Sequence, residues 1–292
     1  MLELDNLILG DNQFFGINHM SQEKGQQLAE RFSDLTNVYR AYHIAYGLGI
    51  KAFMLNSNDK ATEICAYLRA NKSDFPELVL YPSIPYPHKY ANSVAEKGIA
   101  ATIQNVLSGQ SAFDLFSMAG KGLGLLTGDL TKLMTLLVDV EMKMFKGLDF
   151  KTIYLQNVIT DLLLGLEFKE IFIEYCRHIE KHYKVTPGFL TMNIPRLAKF
   201  LQECGITNAT ICGSVNKAGY LMSPDIESYE SFFSGPQPYP VMAMSILASG
   251  AIPPKEAVEY VHRQGIRSIV FGASTRAHMK ETMDLVSGVE IA

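Results

Sequence analysis

From Pro240 to Val286 the chain reads PVMAMSILASGAI, PPKEAVEYVHRQG, IRSIVFGAST and RAHMKETMDLV. The first and third segments are apolar runs that end on small residues, Ser249-Gly250 and Gly272-Ala273-Ser274. The second and fourth carry apolar residues at helical spacing. The stretch therefore predicts two consecutive strand–helix units. Glycine lets the backbone approach a ligand closely. The first N–H groups of a helix lack intrahelical partners and favour an anion. Two such units predict an anion site built from the backbones of Ser249, Gly250, Gly272, Ala273 and Ser274. Arg276 and Lys280, one helical turn apart on the last helix, add charge to it. In the plainer reading, Gly250 and Gly272 only shape their loops and Arg276 is solvated.

The same alternation recurs towards the N-terminus. Strands are predicted at Asn6–Leu9, Ile50–Leu55, Leu78–Tyr81, Lys151–Leu155, Thr186–Thr191 and Asn208–Cys212. Helical segments are predicted over Ser21–Tyr46, with a break near Ser33, and over Lys60–Asn71, where Asp59 is a candidate cap. Further helices are predicted over Glu167–His182 and over Pro195–Cys204, which has proline in its first turn. After strand three, the prolines of PSIPYPHKY predict an extended loop. After strand four comes the polar segment QNVITD. Ala91–Gly147 reads as helical, clearest over Ala91–Val106 and Leu130–Phe145, and is longer than one barrel helix needs. Repeated strand–helix units imply parallel strands with right-handed crossovers. Eight of them predict one α/β domain over residues 1–292, a single (β/α)8 TIM barrel with an enlarged helical region between strands three and four. An open doubly wound sheet is the alternative, and the GxGxxG that would support it after strand one is absent.

Composition narrows the function. The chain has 292 residues, 48% hydrophobic, with a formal net charge of -4. That excludes a basic field for nucleic acid. No apolar run approaches the ~20 residues of a membrane span, and the N-terminus lacks the basic segment of a signal peptide. The four cysteines, Cys65, Cys176, Cys204 and Cys212, show no CxxC spacing. They fit a reducing, cytoplasmic setting.

In a barrel, function sits at the C-terminal ends of the strands. The polar residues predicted there are mostly amides and hydroxyls: Asn12, Asn56, Asn58, Gln156, Asn157, Asn193, Ser214, Asn216, Ser245, Ser249 and Ser274, with Asp11, His19, Asp59, His88, Lys89 and Asp161. Asp11, Asn56 and Gln156, from strands one, two and four, are the candidates for the reacting end. Asp11 with His19 reads as a general base and its partner, or Asp11-Asn12 as a turn closed on its own backbone. Asp161 is either a carboxylate base or a cap. His178 and His182 share one helix face, but HIEKH lacks the glutamate of the metalloprotease motif, and no metal is predicted. Cys212 reads as a small buried residue, and GKGLG (Gly120, Gly122, Gly124) as a helix–helix connection.

The second half resembles the aldo-keto reductase superfamily. The resemblance rests on TPGFLTMNIPRLAKFLQECGITNATICGSVNKAGYLM, PVMAMSILASG and IVFGASTRAHMKET, roughly Lys151–Val286. It implies a barrel whose last two loops hold the phosphates of NADP. The family's catalytic set is an Asp after strand two, a following Tyr, a Lys at strand three and a His at strand four. Here the aspartate position is assigned to Met54, strand three has no lysine, and Gln156 stands for the histidine. Three functions are therefore expected in order. The first is an enzyme for a small phosphorylated or anionic substrate. The second is a divergent oxidoreductase using NAD(P) on the same loops. The third is a catalytically silent binding or scaffold barrel. Neither nucleic acid nor membrane is an expected partner, and the sequence names no substrate or oligomeric state.

Overall fold

The computed structural model describes residues 3–16, 22–86 and 130–288. Eight parallel strands close a barrel in sequence order. They are β1 (Leu7–Leu9), β2 (Ala52–Asn56), β3 (Val79–Ile84), β4 (Thr152–Leu155), β5 (Thr186–Thr191), β6 (Thr210–Ser214), β7 (Val241–Met244) and β8 (Ser268–Phe271). β8 pairs with β1 in the register Ile8–Val270, which closes the ring.

The described helices run round the outside: α1 (Gln22–Arg31), α2 (Leu35–Gly47), α3 (Ala61–Ala70), α4 (Leu130–Met142), α5 (Asn157–Gly165), α6 (Lys169–His178), α7 (Ile194–Glu203), α8 (Ile226–Phe233), α9 (Pro254–Arg263) and α10 (Arg276–Gly288). α7 shows how sequence sets their orientation. Ile194, Leu197, Ala198 and Leu201 fall at helical spacing and are all buried. Burying a leucine fully contributes about 1.5–3 kcal/mol. Asn193 caps the helix by accepting a hydrogen bond from the Arg196 N–H, and Pro195 sits where no N–H is needed.

Two apolar clusters divide the core. The larger lies between the strands and the helices. The smaller fills the barrel, with Ile8, Met54, Tyr81, Tyr154, Leu190, Cys212, Met242 and Val270 contributing one residue from each strand, and Ala52 a second from β2. Gly188 makes room for it. A Cβ there would lie 2.6 Å from both Thr152 Cγ2 and the Tyr154 ring. At the N-terminal end, Asp5 closes the barrel: it accepts from the Tyr81 hydroxyl and from Lys151 Nζ at 2.9 Å, and its carbonyl accepts from Ser268 Oγ at 2.6 Å.

Several elements differ from the sequence expectation. β3 does not end at Tyr81 but continues through Pro82 to Ile84. Its ladder survives the missing N–H because carbonyls carry it: Ser83 O accepts from Ser57 N, and Ile84 O from Gln156 N. β6 reaches Ser214. QNVITD, to which no element was assigned, leads straight into a helix, because α5 starts at Asn157. Val158 and Leu162 on its outer face, and Leu166 just past its end, are all more than half exposed. The Glu167–His182 helix is shorter at its start, where Glu167 takes φ 56°, and it ends in a π-helical turn over Ile179–Tyr183. Asp59 makes no cap; Asn58 Oδ1 accepts from the Lys60 N–H instead. α8, in the long connection after β6, had no counterpart in the sequence reading. Ala91–Val106, the Gly120–Gly124 segment, His19, His88 and Lys89 lie outside the described residues.

Candidate active site

Side chains alternate across a strand, so the residue two beyond each interior one points to the mouth of the barrel. Counting on from the interior cluster gives Gly10, Asn56, Ser83, Gln156, Met192, Ser214, Met244 and Gly272. Met54 is therefore core, and the rim position at the end of β2 is Asn56.

Asp11 leads directly into this ring from β1. Its backbone carbonyl closes a tight turn over Asn12–Phe15, but its side chain turns across the mouth. Asp11 Oδ2 accepts from the Asn56 N–H at 2.7 Å, and Oδ1 accepts from Asn56 Nδ2. Asn56 Oδ1 accepts in turn from Gln156 Nε2, which also reaches Ser83 O at 3.3 Å. Asp11, Asn56 and Gln156 thus form one hydrogen-bonded line from β1 to β4. Asp11 is 2% exposed. Burial pushes its carboxyl up to about 7, against the two bonds from Asn56, which pull it down. The same charge is felt nearby. Burial, then Asp11, raises the phenol of Tyr42 far above its usual range. Burial, then Asp11 and Asp59, raises that of Tyr86.

The other candidates separate from this line. Asp161, on α5, accepts from the Met192 N–H at 3.0 Å and from Thr191 Oγ1, and so ties α5 to the end of β5. His178 lies 2.6 Å from Asp139 through its Nε2, and Tyr183 donates to the same carboxylate oxygen at 2.8 Å. Among the described residues no group of three or more His, Cys, Asp or Glu could hold a metal ion. Cys212 is buried inside the barrel, which drives its thiol well above the usual range.

The predicted anion loops differ from each other. After β7, the Gly250 N–H is bonded to Leu247 O at 2.8 Å and the Ile252 N–H to the same carbonyl. α9 then begins on Pro253-Pro254, neither of which carries an N–H. Ser249 keeps its hydroxyl near Tyr220 at 3.3 Å. After β8, Gln13 holds the loop, its Nε2 donating to Gly10 O at 2.7 Å and to Ala273 O at 3.3 Å. A Cβ on Gly272 would come within 2.6 Å of Gln13 Oε1, so a larger residue there would push the Gln13 side chain aside. Arg31 binds Ser274 O at 3.1 Å, and Arg276 opens α10. Arg31 and Arg276 thus both lie near the start of α10, where the His278 N–H is already bonded to Thr275 Oγ1. Lys280 adds less, being paired to Asp284 at 2.6 Å.

Leu221, Ser245, Ala248 and Ser249 are left-handed without being glycine. All four lie in the connections that follow β6 and β7. Such strain gathers where a loop is shaped for function. Sequence reading missed Ser83, Gln13 and Arg31. The signal for Ser83 was its place two residues after Tyr81, hidden because Pro82 argued for a loop.

No family model matches the chain, and no curated protein matches it. Solved structures do. A protein from Pseudomonas aeruginosa described as an aldo-keto reductase matches with TM-score 0.60 at 16% identity, over 98% of this chain and 91% of that one. An aldo-keto reductase from Brucella melitensis matches with TM-score 0.54 at 11% identity, over 98% and 88%. One from Bacillus halodurans matches with TM-score 0.55 at 8% identity, over 100% and 89%. The likeness that the sequence displayed in its second half thus extends along the whole chain, which has the barrel fold of the aldo-keto reductases.

Proposed function

We propose that this barrel is an oxidoreductase acting on a carbonyl–alcohol pair, with the Asp11 carboxyl carrying the proton. The observation behind the reading is a buried carboxyl raised to about 7 and bonded through Asn56 to Gln156 at the barrel mouth. A group that titrates near neutrality can both hold and release a proton, which general acid–base catalysis requires. In the reducing direction the protonated Asp11 gives its proton to the carbonyl oxygen. In the oxidising direction the ionised carboxylate takes the hydroxyl proton. Asn56 fixes the carboxyl by its two bonds, and Gln156 fixes Asn56. A nicotinamide dinucleotide bound there would supply the hydride chemistry. Arg31, Arg276, Ser274 and Ser249 would hold its phosphates. The fold likeness to aldo-keto reductases supports this class of reaction.

One observation favours a second reading, an enzyme for a small phosphorylated substrate. The loop after β7 uses its Gly250 N–H internally and leads into two prolines, so the donors concentrate at α10, enough for a single phosphate. A thermal-shift titration separates the two readings, since a ligand of the native state raises its stability. A shift with NADPH, weakened by Arg276→Ala, supports the oxidoreductase. A shift with phosphate alone supports the second reading. No shift with either leaves a binding or scaffold barrel.

A further inference from the structure

We propose that Tyr39, Tyr67 and His43 form an oxidisable site on the outside of the barrel, where one-electron oxidants are quenched and the two tyrosine rings become joined. The site lies between α2 and α3. It goes beyond the carbonyl–alcohol reading of the barrel mouth and does not depend on it. The Tyr39 and Tyr67 rings stack with centroids 3.6 Å apart and planes 2° from parallel. Two intact rings disfavour so close a face-to-face overlap, because their negative faces repel. A ring that has lost electron density is drawn to its neighbour's face by the same quadrupole. The stack therefore suits the oxidised pair better than the resting one.

A proton acceptor stands beside the stack. His43 Nε2 lies 2.9 Å from the Tyr67 hydroxyl, and the His43 ring is held against Phe75 at 4.6 Å between centroids. A neutral imidazole placed there takes the phenolic proton as the electron leaves. Both tyrosines are half-buried and His43 is exposed, so a small oxidant in solution reaches them. Tyr42, Tyr81, Tyr154, Tyr175 and Tyr229 are under 2% exposed and are shielded from it. Burial, then Glu63, Tyr67 and Asp34, raises the phenol of Tyr39. Carboxylates that resist loss of its proton also favour loss of an electron from its ring.

The chemistry balances with a one-electron oxidant as co-reactant. One equivalent takes an electron from Tyr67, and the phenolic proton passes to His43. A second takes an electron from Tyr39, whose proton passes to water. The two phenoxyl radicals couple through a carbon ortho to each oxygen, forming one carbon–carbon bond. The hydrogen on each of those carbons then moves to the oxygen of its own ring, which restores both phenols. The chain has lost two electrons, which reduce the oxidant, and two protons.

The full chain, kept dilute, is illuminated with tris(bipyridine)ruthenium(II) and persulfate, which generate the ruthenium(III) oxidant in place. Peptides from the monomeric product are mapped by mass spectrometry. The main joined product should link Tyr39 to Tyr67, two hydrogens lighter than the separate peptides, and it should be absent from Tyr39→Phe. His43→Phe keeps both tyrosines and a ring against Phe75. It should form the link at least about fivefold more slowly, the effect of losing one hydrogen bond. Joining through other tyrosines, no joining within the monomer, or an unchanged rate in His43→Phe would overturn the proposal. The wild-type map decides the first two outcomes whether or not either variant folds.

Discussion

Asn56 donates two hydrogen bonds to Asp11 from 45 residues along the chain, one from its backbone N–H and one from its side-chain amide. Both favour the ionised carboxylate, and burial outweighs them. Asn56→Ala removes the side-chain bond and should move the Asp11 pKa above about 7. Reduction needs the protonated acid, so its rate falls as pH rises through that pKa. The fall in kcat/KM for carbonyl reduction should therefore shift to higher pH in the variant. An unshifted profile would show that Asp11 is not the titrating group.

The same residue makes stability depend on pH. Its folded pKa of about 7 lies above the ordinary 3.8, so between those values the folded chain holds a proton that the unfolded chain has released. Stability from this group is full below about pH 4, declines through that window and is flat above about pH 7. Three units correspond to roughly 4 kcal/mol. Asp11→Asn should lessen the decline by an amount of that order. Denaturant unfolding of both proteins near pH 4 and near pH 8 measures it, and parallel curves would contradict the assignment.

Gly188→Ala should destabilise by about 1–3 kcal/mol, as overpacking in a filled core does. The new Cβ would meet Thr152 and Tyr154 inside the barrel. Thermal or urea denaturation gives the value, and an unchanged midpoint would show that the interior has slack at this level.

Alkylation should find one thiol in the native protein. Cys65, Cys176 and Cys212 are buried, and Cys204 is the partly exposed one. Burial raises the Cys65 thiol to about 12 and raises that of Cys204 as well, so labelling should be slow and confined to Cys204. Mass spectrometry after brief iodoacetamide treatment reads the sites. Rapid labelling of Cys212 would contradict a packed barrel interior.

Much of the barrel was legible because buried parallel strands read as short apolar runs, as TPGFLT and VMAM do. The misreadings came where packing overrode local signals. Pro82 argued against a strand, yet the ladder around it runs on carbonyl acceptors. α5 was not assigned from the sequence, and part of the apolar surface there, at Val158, Leu162 and the following Leu166, faces outward. Within the candidate site, Asp11, Asn56 and Gln156 could be picked singly, since each follows an apolar run. Their bonding could not be seen, because it joins residues 45 and 100 positions apart. The side-chain partner of Asp11, on another strand, was hidden in the same way, while its carbonyl closes the turn that the residues Asp11-Asn12 suggested. Arg31 was out of reach for the same reason, lying 243 residues from the Ser274 carbonyl it holds.

The central claim is that Asp11 carries a proton near neutral pH, and a carbon-detected NMR titration of its carboxyl tests it most directly, with Asp11→Asn used to assign the signal. A midpoint at about 7 is the predicted result. A midpoint near the ordinary 3.8 would leave Asp11 ionised throughout the working range and would contradict its role as the acid.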